Sequence, residues 1–270
     1  MDFKRITSAL LGFPIVAIIL IYGDKYLVDI VVSIIAIMSL HEYFHSFKNE
    51  EKDTRPIRWI AYLSAIAIAL IHIIPNEYAI PIIGAIIPIS ILVLFAQVIA
   101  TNMKYNIKDI AITFFGICYI VIFLLFIPLI REMENGRILV WYVFFAAWGT
   151  DVFAYAIGRR FGKHKFSEIS PKKSIEGCIA GVVGASAIML GYTYICNYFW
   201  NMNINYGYIL LVSVILSLVG QIGDFAASSI KRYNGIKDFS NLIPGHGGLL
   251  DRIDSVIFIA PFAYFLLMLV

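Results

Sequence analysis

Nine apolar runs, most of them near the length of a bilayer crossing, leave this chain few residues with which to build anything else. They fall at about 6–23, 26–47, 57–75, 77–100, 108–130, 138–160, 175–199, 206–230 and 250–270. About 20 helical residues cross the hydrocarbon core of a membrane. A backbone in lipid must also pair its own N–H and C=O groups, which a helix does and a lone strand does not. The expected fold is therefore all-α: a polytopic integral membrane protein with about nine transmembrane helices. Only 14% of the 270 residues are charged, against about 25% in a soluble domain, and no polar stretch is long enough to fold separately. The first run follows Lys4 and Arg5 without a clear small-residue cleavage site, so it reads as a retained helix rather than a signal peptide. Cys118, Cys178 and Cys196 lie in apolar runs without metal-ligand spacing, which points to packing and not to a disulfide framework.

Basic residues orient the spans. With the N-terminus cytoplasmic and every run crossing, 18 of the 21 lysines and arginines fall on the cytoplasmic side, leaving Lys25, Arg131 and Arg137 outside. The positive-inside rule asks for such an asymmetry. The two richest polar segments, 159–174 and 231–252, then share the cytoplasmic face, where they would attract anionic headgroups and nucleotides. The expected organisation is a set of N-terminal spans over 1–130 (spans one to five). A C-terminal catalytic region follows over 131–270, with spans six to nine and cytoplasmic loops at 159–174 and 231–250.

Topology alone does not explain the acids. Asp224 sits near the end of span eight beside Gly220 and Gly223, with Ser228 four residues on and Lys231 and Arg232 beyond. Spacings of three and four share a helical face. Asp251 and Asp254, three apart, share a face at the start of span nine, with Arg252 between them. Carboxylates crowded at a headgroup plane repel unless neutralised, and hard oxygen donors of this kind suit Mg²⁺. Salt bridges to Arg252, Arg232 or Lys231 are the plainer use of the same acids. Between the acids, Pro244-Gly245-His246-Gly247-Gly248 lets backbone amides approach a phosphate ahead of a helix N-terminus, flanked by Lys237 and Asp238. His246 could donate to a phosphate oxygen or brace the loop.

A second polar centre begins at Asp151 in span six, an acid about ten residues inside the cytoplasmic end and functional by default. Its plainer role is as a buried partner for Thr150, Tyr155 or Arg159. Gly158-Arg159-Arg160-Phe161-Gly162-Lys163 is not a Walker A loop, because three residues separate the glycines and no Ser or Thr follows the lysine. Ser170-Pro171-Lys172-Lys173-Ser174-Ile175-Glu176-Gly177 then opens span seven, placing two lysines and two hydroxyls as a phosphate clamp at a helix start. Gly177, Gly181 and Gly184 continue one face of that span and read as close-packing positions.

These segments carry a resemblance. Ser228-x-Ile230-Lys231-Arg232, Lys237-Asp238, Leu242-Ile243-Pro244-Gly245-His246-Gly247-Gly248 and Asp251-Arg252-Ile253-Asp254 resemble the signature of phosphatidate cytidylyltransferases, or CDP-diacylglycerol synthases. Gly223-Asp224, Asp151-x-Phe153-Ala154-Tyr155-x-x-Gly158-Arg159 and the Ser170–Gly177 segment fit it too. The motifs cover about the last 120 residues, whereas the first 130 match in hydropathy only. Ser174 stands where the family is expected to carry threonine, and the hydroxyl is retained.

The resemblance implies CTP and phosphatidic acid as substrates, CDP-diacylglycerol and pyrophosphate as products, and Mg²⁺ as cofactor, with room for a second cation. It assigns Asp224, Asp251 and Asp254 to the cation. Lys231 belongs to the catalytic set, and Lys172, Lys173, Arg232, Lys237 and Arg252 answer the anionic substrates. Ser174, Ser228, His246 and Asp151 complete the substrate site. The protein is then expected in the inner cell membrane among membrane lipids, with its site facing the cytoplasm and no nucleic-acid partner. A homodimer would have to form through the spans.

Rival readings come from other classes. His41-Glu42-Tyr43-Phe44-His45 matches HExxH, the pattern of a zinc hydrolase with two imidazoles at i and i+4 and a glutamate base. An intramembrane zinc protease would use it with a distant acid; otherwise the two histidines are interfacial, with aromatic anchors. A transporter would gather acids and broken helices near the midplane, whereas here only Asp151 is deep. A CTP-dependent enzyme for a different lipid acceptor shares the same phosphate chemistry.

Overall fold

The computed structural model describes residues 16–47, 54–73, 78–167, 170, 173–242 and 247–270. Among them no strand forms; an antiparallel bridge joins Lys165 to Ser174. The helices are α1 (Lys25–Ser46), α2 (Arg58–Ile68), α3 (Ala79–Ala100), α4 (Ile107–Glu132), α5 (Trp141–Phe161), α6 (Ile175–Trp200), α7 (Tyr206–Tyr233) and α8 (Leu250–Leu267). The all-α expectation holds for these residues.

Among the described residues five helices are long and apolar enough to cross a membrane: α1, α4, α6, α7, and α5 with the short turn before it, as Gly136–Phe161. The count of about nine is not established. Of the first expected span only 16–23 is described, helical over 16–22. The third expected span, 57–75, is helical over just 11 residues before a 3₁₀ turn at Ile71–Ile73. That turn carries His72, whose Nδ1 lies 2.7 Å from the Asp29 carboxylate of α1, both groups buried. Pairing a buried acid takes precedence there over continuing the helix. The last expected span is an 18-residue helix whose first two turns hold Asp251, Arg252 and Asp254.

Backbone contacts divide the chain into two units, Met1–Pro128 with Asn234–Arg252, and Leu129–Tyr233 with Ile253–Val270. In the first, α1 packs on α2, and Ser33 Oγ donates to the Ala65 carbonyl at 2.8 Å. Asn106 caps α4 reciprocally with Asp109, and the Asp109 carboxylate also receives the Arg55 N–H. In the second, α5, α6 and α7 pack together. A Cβ on Gly177 would lie 2.8 Å from the Ala154 carbonyl oxygen, and one on Gly181 2.9 Å from that of Thr150. The close-packing role read for these glycines is therefore seen directly, as backbone against backbone. Buried hydroxyl pairs, Thr150 with Ser217 and Ser213 with Ser186, each at 2.7 Å, fix the register of the three helices. Gly223 does for α8 what Gly177 does for α5, since a Cβ there would meet the Asp254 carbonyl oxygen at 2.8 Å.

Candidate active site

The start of α6 is built by its preceding loop. The Phe166 N–H donates to the Lys173 carbonyl and the Ile175 N–H to that of His164, both at 2.9 Å. Glu176, in the first helical turn, accepts from the Lys163 and His164 N–H groups and pairs with the His164 ring at 2.6 Å. Ser174 is the N-cap, its hydroxyl accepting the Gly177 N–H at 3.1 Å, which satisfies one of the helix's otherwise orphaned donors. A predicted substrate-binding hydroxyl thus already has a structural task.

This folded loop delivers Lys173 to α7. Its ammonium donates to Asp224 Oδ2, with both side chains about a quarter exposed. The same ammonium lies 4.4 Å from the Phe225 ring centroid, and Phe166 stacks on that ring at 4.7 Å. A carboxylate and an aromatic face hold the cation together. Ser228, one turn on, makes a long 3.5 Å contact to Asp224 Oδ1.

Asp254 is buried at 7% exposure, and its Oδ1 accepts the Ser255 N–H at 2.7 Å. The charges that act on it are Asp224 and Asp151, of like sign, and Lys231, of opposite sign. Three of the expected acids and two of the expected lysines therefore gather within the second unit. Asp151 lies on an exposed face of α5. Of the partners first considered for it, Thr150 bonds to Ser217, and Arg159 donates to the Tyr155 hydroxyl at 3.0 Å.

The remaining expected residues divide differently. Asp251 belongs to the first unit, where its Oδ2 accepts the Phe239 and Gly248 N–H groups at 2.9 and 3.0 Å. It braces the glycine loop, which has φ +85° at Gly247, a conformation that favours glycine. Arg232, Lys237 and Arg252 are exposed. Lys172 and His246 lie outside the described residues.

Sequence reasoning gave Glu42 no role outside the rival HExxH reading. Its carboxylate is buried and accepts three donors: the Ser240 hydroxyl at 2.6 Å, the Leu249 N–H at 2.9 Å and the Leu250 N–H at 2.7 Å. It is a helix cap, not a general base. His41 and His45 are exposed, with near-parallel rings 6.4 Å apart. They line a cavity of about 610 Å³ between Tyr62 and Phe239–Leu242. Among the described residues no group of three or more His, Cys, Asp or Glu side chains is arranged as a metal cage. An acid inside an apolar run was the available signal, but the HExxH spacing diverted it.

Fold and site define a helical membrane protein that gathers carboxylates and lysines at its helix ends, suited to phosphate chemistry. The chain belongs to the Cytidylyltransferase family, whose model matches residues 3–270. It is 33% identical over 270 residues to the phosphatidate cytidylyltransferase of Staphylococcus aureus (strain COL), covering 97% of this chain and 98% of that one. The phosphatidate cytidylyltransferase of Bacillus subtilis (strain 168) is 39% identical over 160 residues, 59% of this chain and 56% of the relative. That of Staphylococcus haemolyticus (strain JCSC1435) is 36% identical over 184 residues, 68% of each.

Proposed function

We propose that this chain transfers the cytidylyl group of CTP to phosphatidate, giving CDP-diacylglycerol and pyrophosphate. The Lys173–Asp224 pair beside buried Asp254 carries the reading most directly. A nucleotidyl transfer between two anions needs positioned cations and carboxylates together, and family membership supplies the nucleotide.

A phosphate oxygen of the lipid attacks the α-phosphorus of CTP in line. A new P–O bond forms there as the bond to the bridging oxygen of the β-phosphate breaks, and pyrophosphate leaves with that electron pair. The nucleophile is already anionic, so no strong general base is required. Lys173, partly exposed and set on Asp224 and Phe225, is placed to meet the triphosphate. Lys231 answers charge at Asp254.

The donor set fits Mg²⁺. Asp254 feels two like charges against one opposite charge, a local excess of hard anionic oxygen. Mg²⁺ in nucleotide sites takes one or two carboxylates and fills its shell with water and phosphate, so a closed protein cage is not needed. Asp224 and Asp254 would hold it. When bound it supplies Lewis-acid stabilisation of charge developing on the phosphates. The site is assigned to the cytoplasmic face, because CTP is a cytoplasmic solute and the basic segments 159–174 and 231–252 suit that side under the positive-inside rule.

Purified protein in liposomes with labelled CTP, offered phosphatidate or other phosphorylated lipids, tests the substrate. Label should enter lipid with phosphatidate. Label entering only another lipid would replace phosphatidate in this reading.

A further inference from the structure

We infer that Glu42 is a positioning residue for the acid-bearing helix: its carboxylate, sent from α1, caps α8 and fixes where Asp251 and Asp254 stand. This rests on the proposed reaction, since it assigns Asp254 to its cation.

Helix α8 begins at Leu250, and the first N–H groups of any helix have no partner within it. Caps usually come from the residue just before the helix. Here that position is Leu249, which has no side-chain acceptor. Glu42, 208 positions earlier than Leu250, replaces it: Oε1 accepts from Leu249 and Oε2 from Leu250. A carboxylate at a helix N-terminus also meets the positive end of the helix dipole, an interaction that strengthens away from water. Glu42 is 4% exposed.

The surroundings are shaped to admit it. Oε1 also accepts from Ser240, so one carboxylate ties the two ends of the glycine loop. A Cβ on Gly248 would stand 2.6 Å from Glu42 Oε2, so a side chain there would push the carboxylate from its present place. Asp251 closes the loop from the other side through the Gly248 and Phe239 N–H groups. Asp251 and Asp254 occupy the first and second turns of the helix so fixed. A shift of about 1 Å in a reacting group can cost on the order of 10²-fold in rate.

The test uses the full chain in detergent or nanodiscs. Glu42→Gln keeps the shape but sets an amide N–H₂ against an N–H donor. Hydrogen exchange at Leu249 and Leu250 should quicken about 10-fold, kcat should fall on the order of 10- to 100-fold, and the half-saturating Mg²⁺ concentration should rise. Unchanged exchange overturns the cap. Faster exchange, or a lower unfolding midpoint, with kcat and Mg²⁺ half-saturation unchanged overturns the positioning role. Should Glu42→Gln not fold, Ser240→Ala removes one of the three donors. It should move Mg²⁺ half-saturation in the same direction, and no movement there overturns the proposal. A wild-type protein that makes no CDP-lipid would strike the proposed reaction alone, because the exchange measurement reads the cap without it.

Discussion

Lys173, just before α6, donates to Asp224 in the C-terminal half of α7, and this pair joins a basic loop to that helix. The pairing holds a cation where Asp224, Asp254 and Asp151 act on one another. Lys173→Met should lower kcat/KM for CTP on the order of 10²-fold, the scale on which a charge-stabilising donor acts. The unfolding midpoint should barely move, since a partly exposed pair contributes about 1 kcal/mol or less. Initial rates against CTP concentration, with a thermal melt alongside, check both parts.

Asp254→Asn separates function from stability. The substitution removes a buried charge that two like charges oppose, so the folded protein should be as stable as wild type or more so. Turnover should fall on the order of 10²- to 10³-fold. Near-normal CDP-lipid formation by the variant would remove Asp254 from the cation site.

Close packing of α6 on α5 gives a test without chemistry. Gly177→Ala puts a methyl 2.8 Å from the Ala154 carbonyl oxygen and should destabilise by about 1–3 kcal/mol. Gly191→Ala, in the same helix with nothing within 4 Å of the new methyl, should be neutral or stabilising by up to about 1 kcal/mol. Denaturation of the two variants under one condition compares them.

The buried Asp29–His72 pair makes a fourth prediction. Asp29→Ala leaves the imidazole without its carboxylate and should cost about 3–5 kcal/mol. Turnover per folded molecule should stay near wild type, because Asp29 lies about 20 Å along α1 from Glu42. Yield, unfolding midpoint and active-fraction kinetics measure it.

Helices were legible because lipid leaves a spanning backbone no alternative, and the chemistry was legible because carboxylates and lysines are costly near lipid. Asp224, Asp254, Asp151, Lys173 and Lys231 stand out by residue type alone: α7 carries Asp224 and Lys231, α5 carries Asp151, α8 carries Asp254, and Lys173 lies just before α6. What spacing could not supply is pairing across distance. Lys173 and Asp224 are 51 residues apart and Glu42 and Leu250 are 208 apart, so no local period connects them. The short α2 was hidden for a related reason: the pull of Asp29 on His72 lies outside any hydropathy window. Ser174 shows the opposite case, a hydroxyl visible as phosphate-friendly whose observed bond is a helix cap.

The central claim is attack at the α-phosphorus of CTP, and the position of a label decides it. Purified protein in phosphatidate liposomes is supplied with CTP labelled at either the α- or the γ-phosphate. The account predicts α-label in lipid as CDP-diacylglycerol, with an equal amount of γ-label in pyrophosphate. Label from the γ-phosphate in lipid, or none in lipid from either, would contradict it.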